Sequence, residues 1–411
     1  MAGDSVVYIS YNGVSEPLVQ SQVLPYLRSF VQNGVTVKLV AFESGSLAQD
    51  DVRRLADEFR KAGIQWVSVR RSAGLNPVAV VQNIARGVTA ASRLLGGSGR
   101  PIVHCRSYVP GIIGVLLKAR FKVPFVFDMR GFWIDERVMR GSLRQDSPGY
   151  RFGKRLETVL YRKSDAIVSL TEAGVSEILR LDPWRGGPRP PITMIPTCVD
   201  LNRFPPPTRR SHRNPVVVSV GSLGKGYLAE EIFVVFSEIR KRHRDARLKI
   251  VSRSDSSGLA MMAEAAGVPP SAWSIQSAEP DEVPAILSEC DIGLSFIEPH
   301  YSKKASCATK NAEYLAAGIP IVANSGIGDV DTVLPQHGVG VVLPDFESPS
   351  VERGVDALER LLADPETPDR CVLLARREYA TGVGVDRYMG IYQRLWNPSA
   401  AGAAAAGAEA L

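Results

Sequence analysis

A chain of 411 residues with 45% hydrophobic and 22% charged residues has the composition of a soluble globular protein, long enough for two domains, and not that of a disordered or fibrous chain. The net charge of +6 is uneven, with +10 on residues 1–200 and −4 on the rest. Cys105, Cys198, Cys290, Cys307 and Cys371 form no CxxC pair and stand in no ligand spacing with His, which fits a reducing compartment and argues against a disulfide framework or a structural zinc.

Strands and helices alternate from the start. VVYIS (6–10) reads as a strand, and a helix follows from about 22, where Pro25 is tolerable because it falls in the first turn. Asn33-Gly34 closes that helix and VTVKLVAF is the next strand. A helix over 50–62 leads to IQWVSV, one over 77–95 to PIVHC, and one over 111–119 to PFVFDMR. A helix over 150–162 precedes AIVSL, and another spans 171–181. These short β-branched runs have the pattern of a parallel sheet buried on both faces. Asn12-Gly13 sits in the first loop, either as a plain turn or as flexible backbone that meets a ligand.

The Pro- and Arg-rich stretch 185–215 reads as a linker that carries one strand. The alternation then restarts. PVVVSVG, LKIVS, DIGLSFI, IPIVAN and GVGVVL are strands, with helices over 228–242, 258–266, 281–290 and 309–317 and a last helix over 385–396. The expected organisation is a first domain over 1–190, a linker over 191–215, a second domain over 216–380, a C-terminal helix over 381–397 placed to cross back to the first domain, and a low-complexity tail over 398–411. Two doubly wound α/β domains of this kind are expected to face a central cleft, lined by the loops after Ser10, Val103, Phe127, Val220 and Ile297, because ligands bind beyond the carboxyl ends of such strands. No apolar run approaches the roughly 18 residues of a membrane span, and no basic-then-apolar leader opens the chain, so a cytoplasmic location is expected.

Positive charge concentrates between Arg137 and Lys163, where RFGKRLETVLYRK sets Phe152, Leu156, Val159 and Leu160 on one helical face and most basic residues elsewhere. Such a helix either rests on anionic lipid at the inner face of the membrane or is a solvated face packed on its own domain. Aromatic residues do not interleave with the basic ones, so no nucleic acid is expected.

The segment YSKKASCATKNAEYLAAGIPIVAN (301–324) reads as loop, helix and buried strand. Ser306, Ala308 and Thr309 are small residues where the helix begins, Lys310 and Glu313 sit one turn apart on it, and Gly318 ends it. A helix start leaves N–H groups unpaired and carries partial positive charge, and small side chains let a phosphate approach the backbone. A carboxylate one turn further on can accept from ribose hydroxyls. An ordinary capped helix explains the same residue types.

This segment, together with DIGLSFIEPH and VSVGSLGKGY in the second half and YISYNGVSEPLVQSQVLPYLRSFVQNG, HCRSY and FDMRGFWIDERV in the first, resembles retaining glycosyltransferases of the GT-B fold, family-4 type (glycosyl transferases group 1). The resemblance runs to about Trp396. It implies a nucleotide-sugar co-substrate (a UDP- or GDP-sugar), no other cofactor, no metal, and transfer to a hydroxyl of a glycan, a lipid-linked or a small-molecule acceptor with retention at the anomeric carbon. A nucleotide-sugar epimerase of the same fold, or a catalytically weak sugar-nucleotide-binding subunit, remains an alternative.

Carried over residue by residue, the resemblance places Glu313 on the donor ribose and the backbone of Ala308 and Thr309 on the phosphates. The family's first glutamate would fall at Ala305, and its Arg after the first strand of the second domain at Ser222, so both are missing. Lys225 is the basic candidate left in that loop, and Lys303, Lys304 and Lys310 are the alternatives. In the first domain Asp128 stands where the family commonly presents a His, and His104 and Arg106 end the neighbouring strand. Asp128 is expected either to bind sugar hydroxyls or steady positive charge at the anomeric carbon, or to pair with Arg130 structurally. His104 is either a site residue or a satisfied core histidine. Asp329-Val330-Asp331 spells a DxD, but it opens a helix, so capping is the expected role. No G-x-G-x-x-G follows a first strand and VGSLGKGY lacks P-loop spacing, which removes dehydrogenase and NTPase readings.

Overall fold

The computed structural model describes residues 4–45, 49–72, 77–96, 99–207, 214–254 and 257–398. They divide into two compact units, one drawn from Met1–Ile134, Leu143–Ile195 and Thr381–Leu411, the other from Asp135–Ser142 and Pro196–Ala380.

The first unit is built on seven strands: β1 (Ser5–Ser10), β2 (Thr36–Ser44), β3 (Ile64–Arg71), β4 (Pro101–Arg106), β5 (Phe125–Asp128), β6 (Ala166–Ser169) and β7 (Ile192–Met194). Their order is β3-β2-β1-β4-β5-β6-β7 and every pair is parallel. The order reverses between β1 and β4, where Ser10 lies opposite Arg106. β1 is buried along its whole length, as the unbroken apolar run demands when helices cover both faces. The helix Thr381–Trp396, last among the helices described, packs on this unit. Tyr388 and Tyr392 meet Phe30 edge-on at 6.0 and 5.3 Å, and Trp396 Nε1 donates to the Arg100 carbonyl at 2.7 Å.

The second unit has six strands: β8 (Val216–Val220), β9 (Arg247–Val251), β10 (Trp273–Gln276), β11 (Ile292–Ser295), β12 (Ile321–Asn324) and β13 (Gly340–Leu343). They run in the order β10-β9-β8-β11-β12-β13, again all parallel. Gly293 of β11 is required by its neighbour, since a Cβ there would lie 2.4 Å from the Tyr314 ring. Tyr314 is fully buried and accepts from the Val220 N–H at 2.9 Å while donating to the Leu294 carbonyl at 3.2 Å. One glycine and one tyrosine thereby fix the helix Thr309–Ala316 against β8 and β11.

Several elements depart from the sequence expectations. The first helix is two, Pro17–Gln22 and Leu24–Gln32, broken at Val23 one residue before the turn that takes Pro25. The strand expected inside the linker is β7, hydrogen-bonded to β6. The helices Trp133–Met139, Ser348–Ala363 and Thr367–Leu374 and the edge strand β10 were not anticipated; β10 is four residues long and only half covered, so its apolar signal is weak. The tail expected over 398–411 lies, beyond residue 398, outside the described residues.

The face of the basic helix Pro148–Lys163 that carries Phe152, Leu156, Val159 and Leu160 lies only partly inward, with Leu160 buried and Leu156 half-buried. Gly153, Glu157, Leu160 and Tyr161 are buried, while Phe152 is 68% and Val159 40% exposed. Gly153 lets the helix lie against Ile134, where a Cβ would meet Cδ1 at 2.7 Å. Glu157 is drawn in by the Tyr108 hydroxyl at 2.5 Å and by Lys154. A buried hydrogen-bonded carboxylate thus outranks a phenyl ring in setting the rotation of this helix.

Candidate active site

Two groups of polar residues stand at the carboxyl ends of strands, one in each unit. In the first unit, β4 ends at Arg106 and β5 at Asp128, neighbours in register. His104 and Asp128 are fully buried. His104 Nε2 lies 3.5 Å from Asp128 Oδ2, and Arg106 and Arg130 each approach the carboxylate at 3.8 Å. The Tyr388 hydroxyl donates to Asp128 Oδ2 at 3.1 Å, and the Tyr392 hydroxyl stands 2.6 Å from His104 Nδ1. Gln22 Oε1 accepts from Arg106 at 2.8 Å and from Arg130 at 3.3 Å.

Burial by itself would raise the Asp128 carboxyl. The charge of Arg130, the His104 ring and Arg106 outweigh it and hold the group down to about 2. Burial pushes His104 below its ordinary value, against the pull of Asp128, so the imidazole is neutral. A hydrogen on Nε2 then faces the carboxylate and leaves Nδ1 to accept from Tyr392. Burial also pushes Tyr8, beside His104 at a ring separation of 4.4 Å, up to about 12. Asp128 and Arg130 are an ion pair, as one of the two sequence readings had it, within a larger network that also contains His104 and Arg106. Tyr8, Gln22, Tyr388 and Tyr392 were missed. The two tyrosines of the last helix stand four residues apart, a spacing that marks a buried face but not its partner.

The loop after β1 holds Asn12 and Gly13. Asn12 Nδ2 donates to Glu16 at 2.5 Å, the Gly13 N–H donates to the same carboxylate at 3.0 Å, and the Val14 N–H donates to buried Glu43 at 2.9 Å. A side chain at Gly13 would collide with Glu43, its Cβ lying 2.1 Å from Oε2. Gly13 is therefore set by close packing against a carboxylate.

In the second unit the helix Thr309–Ala316 begins at Ala308, whose backbone is extended and whose methyl offers no capping oxygen. The helix start therefore has no side-chain cap. Lys310 reaches from the first turn to the loop after β8: its Nζ lies 5.3 Å from the Tyr227 ring centroid, and its Cε would meet a Cβ on Gly221 at 3.6 Å. Burial lowers its ammonium to about 8, only partly offset by the charge of Glu313. Glu313 is half-buried, burial raises its carboxyl, and it has no hydrogen bond or ion pair among the described residues. Asn311 is buried with its Oδ1 unpartnered. Asn324, ending β12, clamps the loop after β11 by accepting from the Ile297 N–H and donating to its carbonyl, both at 2.9 Å.

The other sequence candidates fall around this start. Ser306 is half-buried, its N–H donating to the Lys303 carbonyl at 3.0 Å. Ser222 is exposed and 3.3 Å from the Ser254 hydroxyl, and Lys225 is exposed on the same loop. Lys303 lies 3.8 Å from Glu136, and Lys304 stands over the Tyr301 ring at 5.7 Å. Ala305 is fully buried. Asp329 holds the N-cap position of the helix Val330–Gln336 without a side-chain capping bond, which corrects the capping expectation; Asp331 instead accepts from the Gly326 N–H at 2.9 Å. Among the described residues no group of three or more His, Cys, Asp or Glu stands close enough to hold a metal ion.

Two parallel α/β units with polar residues at their strand ends define the class, the GT-B fold. Residues 19–198 match the model of the glycosyl transferase 4-like domain and residues 202–378 that of the glycosyl transferases group 1. The chain belongs to the group 1 glycosyltransferases. Among solved structures it is similar to sucrose-phosphate synthase from Thermosynechococcus elongatus, at 13% identity and a TM-score of 0.71 over 96% of this chain and 100% of that one. A glycosyltransferase from Rickettsia africae has 14% identity and a TM-score of 0.68 over 96% of this chain and 99% of that one. Anabaena HepE in complex with UDP and glucose has 12% identity and a TM-score of 0.65 over 94% and 99%. No curated protein sequence matches the chain.

Proposed function

We propose that this glycosyltransferase moves a sugar from a nucleotide-sugar donor, a UDP- or GDP-sugar, to a hydroxyl acceptor with retention at the anomeric carbon and without a metal. The observation that carries the reading is the pair Lys310 and Glu313, one turn apart at an uncapped helix start, neither with a salt-bridge partner among the described residues. A diphosphate on that start would meet backbone N–H groups of Ala308 and Thr309 and the Lys310 ammonium, and the donor ribose would meet Glu313. Ser222 and Lys225 bound the loop beside it. HepE solved with UDP and glucose supports a uridine nucleotide.

In this reading the bond from the anomeric carbon to the diphosphate breaks as the bond to the acceptor oxygen forms. The departing diphosphate takes the acceptor proton on the face it leaves, which preserves configuration. Lys310 and the helix start stabilise the developing charge, the work a metal would otherwise do. His104 and Asp128 are sealed from solvent, so they act through Arg106 and Arg130, whose guanidinium groups they orient.

A thermal-shift panel of nucleotide sugars tests the donor, since a ligand at a hundred times its dissociation constant stabilises by about 2.7 kcal/mol. NMR of the product anomer with and without EDTA tests the chemistry; an inverted linkage or activity lost to the chelator overturns it. Nucleotide release that needs no acceptor would favour an epimerase, and tight binding without turnover a partner subunit.

A second reading, peripheral contact with an anionic membrane surface, is favoured by Phe152 and Val159, exposed among Arg151, Arg155, Arg162 and Lys163. The packed neighbour helix Tyr108–Phe121 adds exposed Leu116 and Phe121, and Lys118 ties the two ends by donating to the Lys163 carbonyl at 2.9 Å. Each basic residue near such a surface contributes about 1 kcal/mol, screened by salt. Co-sedimentation with anionic vesicles at low salt is expected, and equal behaviour with neutral vesicles refutes it.

A further inference from the structure

The cluster at the ends of β4 and β5 holds one more positive charge than it neutralises. Arg106 and Arg130 bring two guanidinium groups, always charged, and among the described residues Asp128 is the one carboxylate within ion-pair reach of either. His104 and the surrounding tyrosines are neutral. Each guanidinium offers a fork of N–H donors, and the acceptors on them are few: Gln22 Oε1, the Tyr8 hydroxyl on Arg106, and a carboxylate that stays 3.8 Å away. His104 and Asp128 are fully sealed, whereas the Arg106 and Arg130 side chains keep 7% and 13% of their surface, so the arginines are the part of the cluster that reaches outward.

The backbone agrees. Arg130 is in the left-handed region at φ 61°, followed by Gly131 at 134°, and Ser107, directly after Arg106, is there too at φ 74°. The Ser107 N–H donates to the Asp128 carbonyl at 2.7 Å and ties the two junctions together. Non-glycine residues held in this region are strained, and strain of this kind persists where the surroundings over-determine it, commonly at ligand sites. Both strained junctions here aim an arginine.

We propose that Arg106 and Arg130 form the seat for an anionic group of the acceptor, a phosphate or a carboxylate, with Asp128, His104 and Gln22 as positioning residues. The assignment to the acceptor rests on the glycosyl-transfer reading; the anion seat itself does not. A planar fork on each arginine suits the paired oxygens of either group, and the anion would supply the charge and the acceptors that the cluster lacks.

The test titrates the full chain by calorimetry, in the presence of saturating UDP, with glucose 6-phosphate, glucuronate and glucose, and separately measures binding to vesicles with and without phosphatidic acid. Glucose 6-phosphate or glucuronate is expected to bind at least about tenfold tighter than glucose, and Arg106→Gln or Arg130→Gln to remove that preference. Arg130→Lys should restore part of it. Melting temperatures of the variants show whether they fold, and Arg130→Lys keeps the test decisive if a glutamine variant does not. Arginine-dependent binding confined to phosphatidic-acid vesicles assigns the anion to a lipid-borne acceptor, and binding in solution assigns it to a free one. UDP affinity reports the donor reading independently. If the arginine variants lose UDP and keep glucose 6-phosphate, or if charged and neutral sugars bind alike, the seat is not there.

Discussion

The two polar clusters of this protein stand at equivalent places on similar sheets and treat their charges in opposite ways. In the first unit Asp128 is enclosed by His104, Arg106, Arg130 and Tyr388, with a network that reaches the last of the described helices. In the second unit Lys310 and Glu313 are half-buried, shifted by burial toward their neutral forms, and without salt bridges among the described residues. A buried charge with partners holds a fold together, whereas a desolvated charge without them is an unpaid electrostatic debt that a ligand can settle. The same architecture therefore keeps the Asp128 carboxylate paired inside its cluster and leaves the Lys310 and Glu313 charges to be met from outside.

The comparison breaks most readily at Asp128. Asp128→Asn leaves two guanidinium groups uncompensated and is expected to destabilise the first unit by about 3–5 kcal/mol, read from denaturant unfolding, with UDP affinity in the surviving folded protein little changed. Because the folded carboxyl sits near 2, below its unfolded value, its contribution is fully present above the unfolded range and is lost as pH falls through about 2. A variant as stable as the parent would show that the cluster is not structural.

Glu313→Gln should do the reverse, preserving the melting temperature while weakening nucleotide-sugar binding by about 1.5–3 kcal/mol for a lost charge-assisted hydrogen bond. Calorimetry that finds the affinity unchanged removes Glu313 from the donor seat. Tyr392→Phe deletes only the contact to His104 and is expected to lower stability by roughly 1 kcal/mol, without effect on UDP.

Lys310 gives the smallest and most diagnostic effect. Its folded pKa, about 8, lies below the ordinary lysine value, so between those two the unfolded chain holds the extra proton and folding stability rises with pH. UDP affinity should move the other way and fall by about 1 kcal/mol as pH climbs through 8 and the cation is lost. Lys310→Met should flatten both profiles and leave stability at neutral pH equal or improved. Parallel profiles for parent and variant would mean that the lysine carries no charge to the ligand.

The basic helix is where sequence reading left two outcomes open: periodicity put Phe152 on one face with Leu156, Val159 and Leu160, and the structure buries Leu160 and exposes Phe152. The reason is Glu157, whose buried hydrogen bond to Tyr108 comes from a helix far away in the chain. The DxD of Asp329 and Asp331 departs from expectation for a local reason: Asp331 is taken by the Gly326 N–H of the preceding turn, and Asp329 makes no side-chain capping bond. Lys310 and Glu313 share one helix turn, so their spacing alone sets them side by side.

Sequence by itself determined the tandem parallel α/β architecture, the family, and the helix start with its small residues, Lys310 and Glu313, because apolar periodicity and one-turn spacings are short-range properties of the chain. Only the tertiary structure decided what surrounds Asp128. Its partners come from β4, from the loop after β5 and from a helix some 260 residues onward, and the hydrogen bond from Tyr388 spans that interval. No local pattern encodes a contact of that separation; it exists because packing the last helix against Phe30 and the β4 end places two tyrosine hydroxyls where a buried carboxylate and imidazole need them.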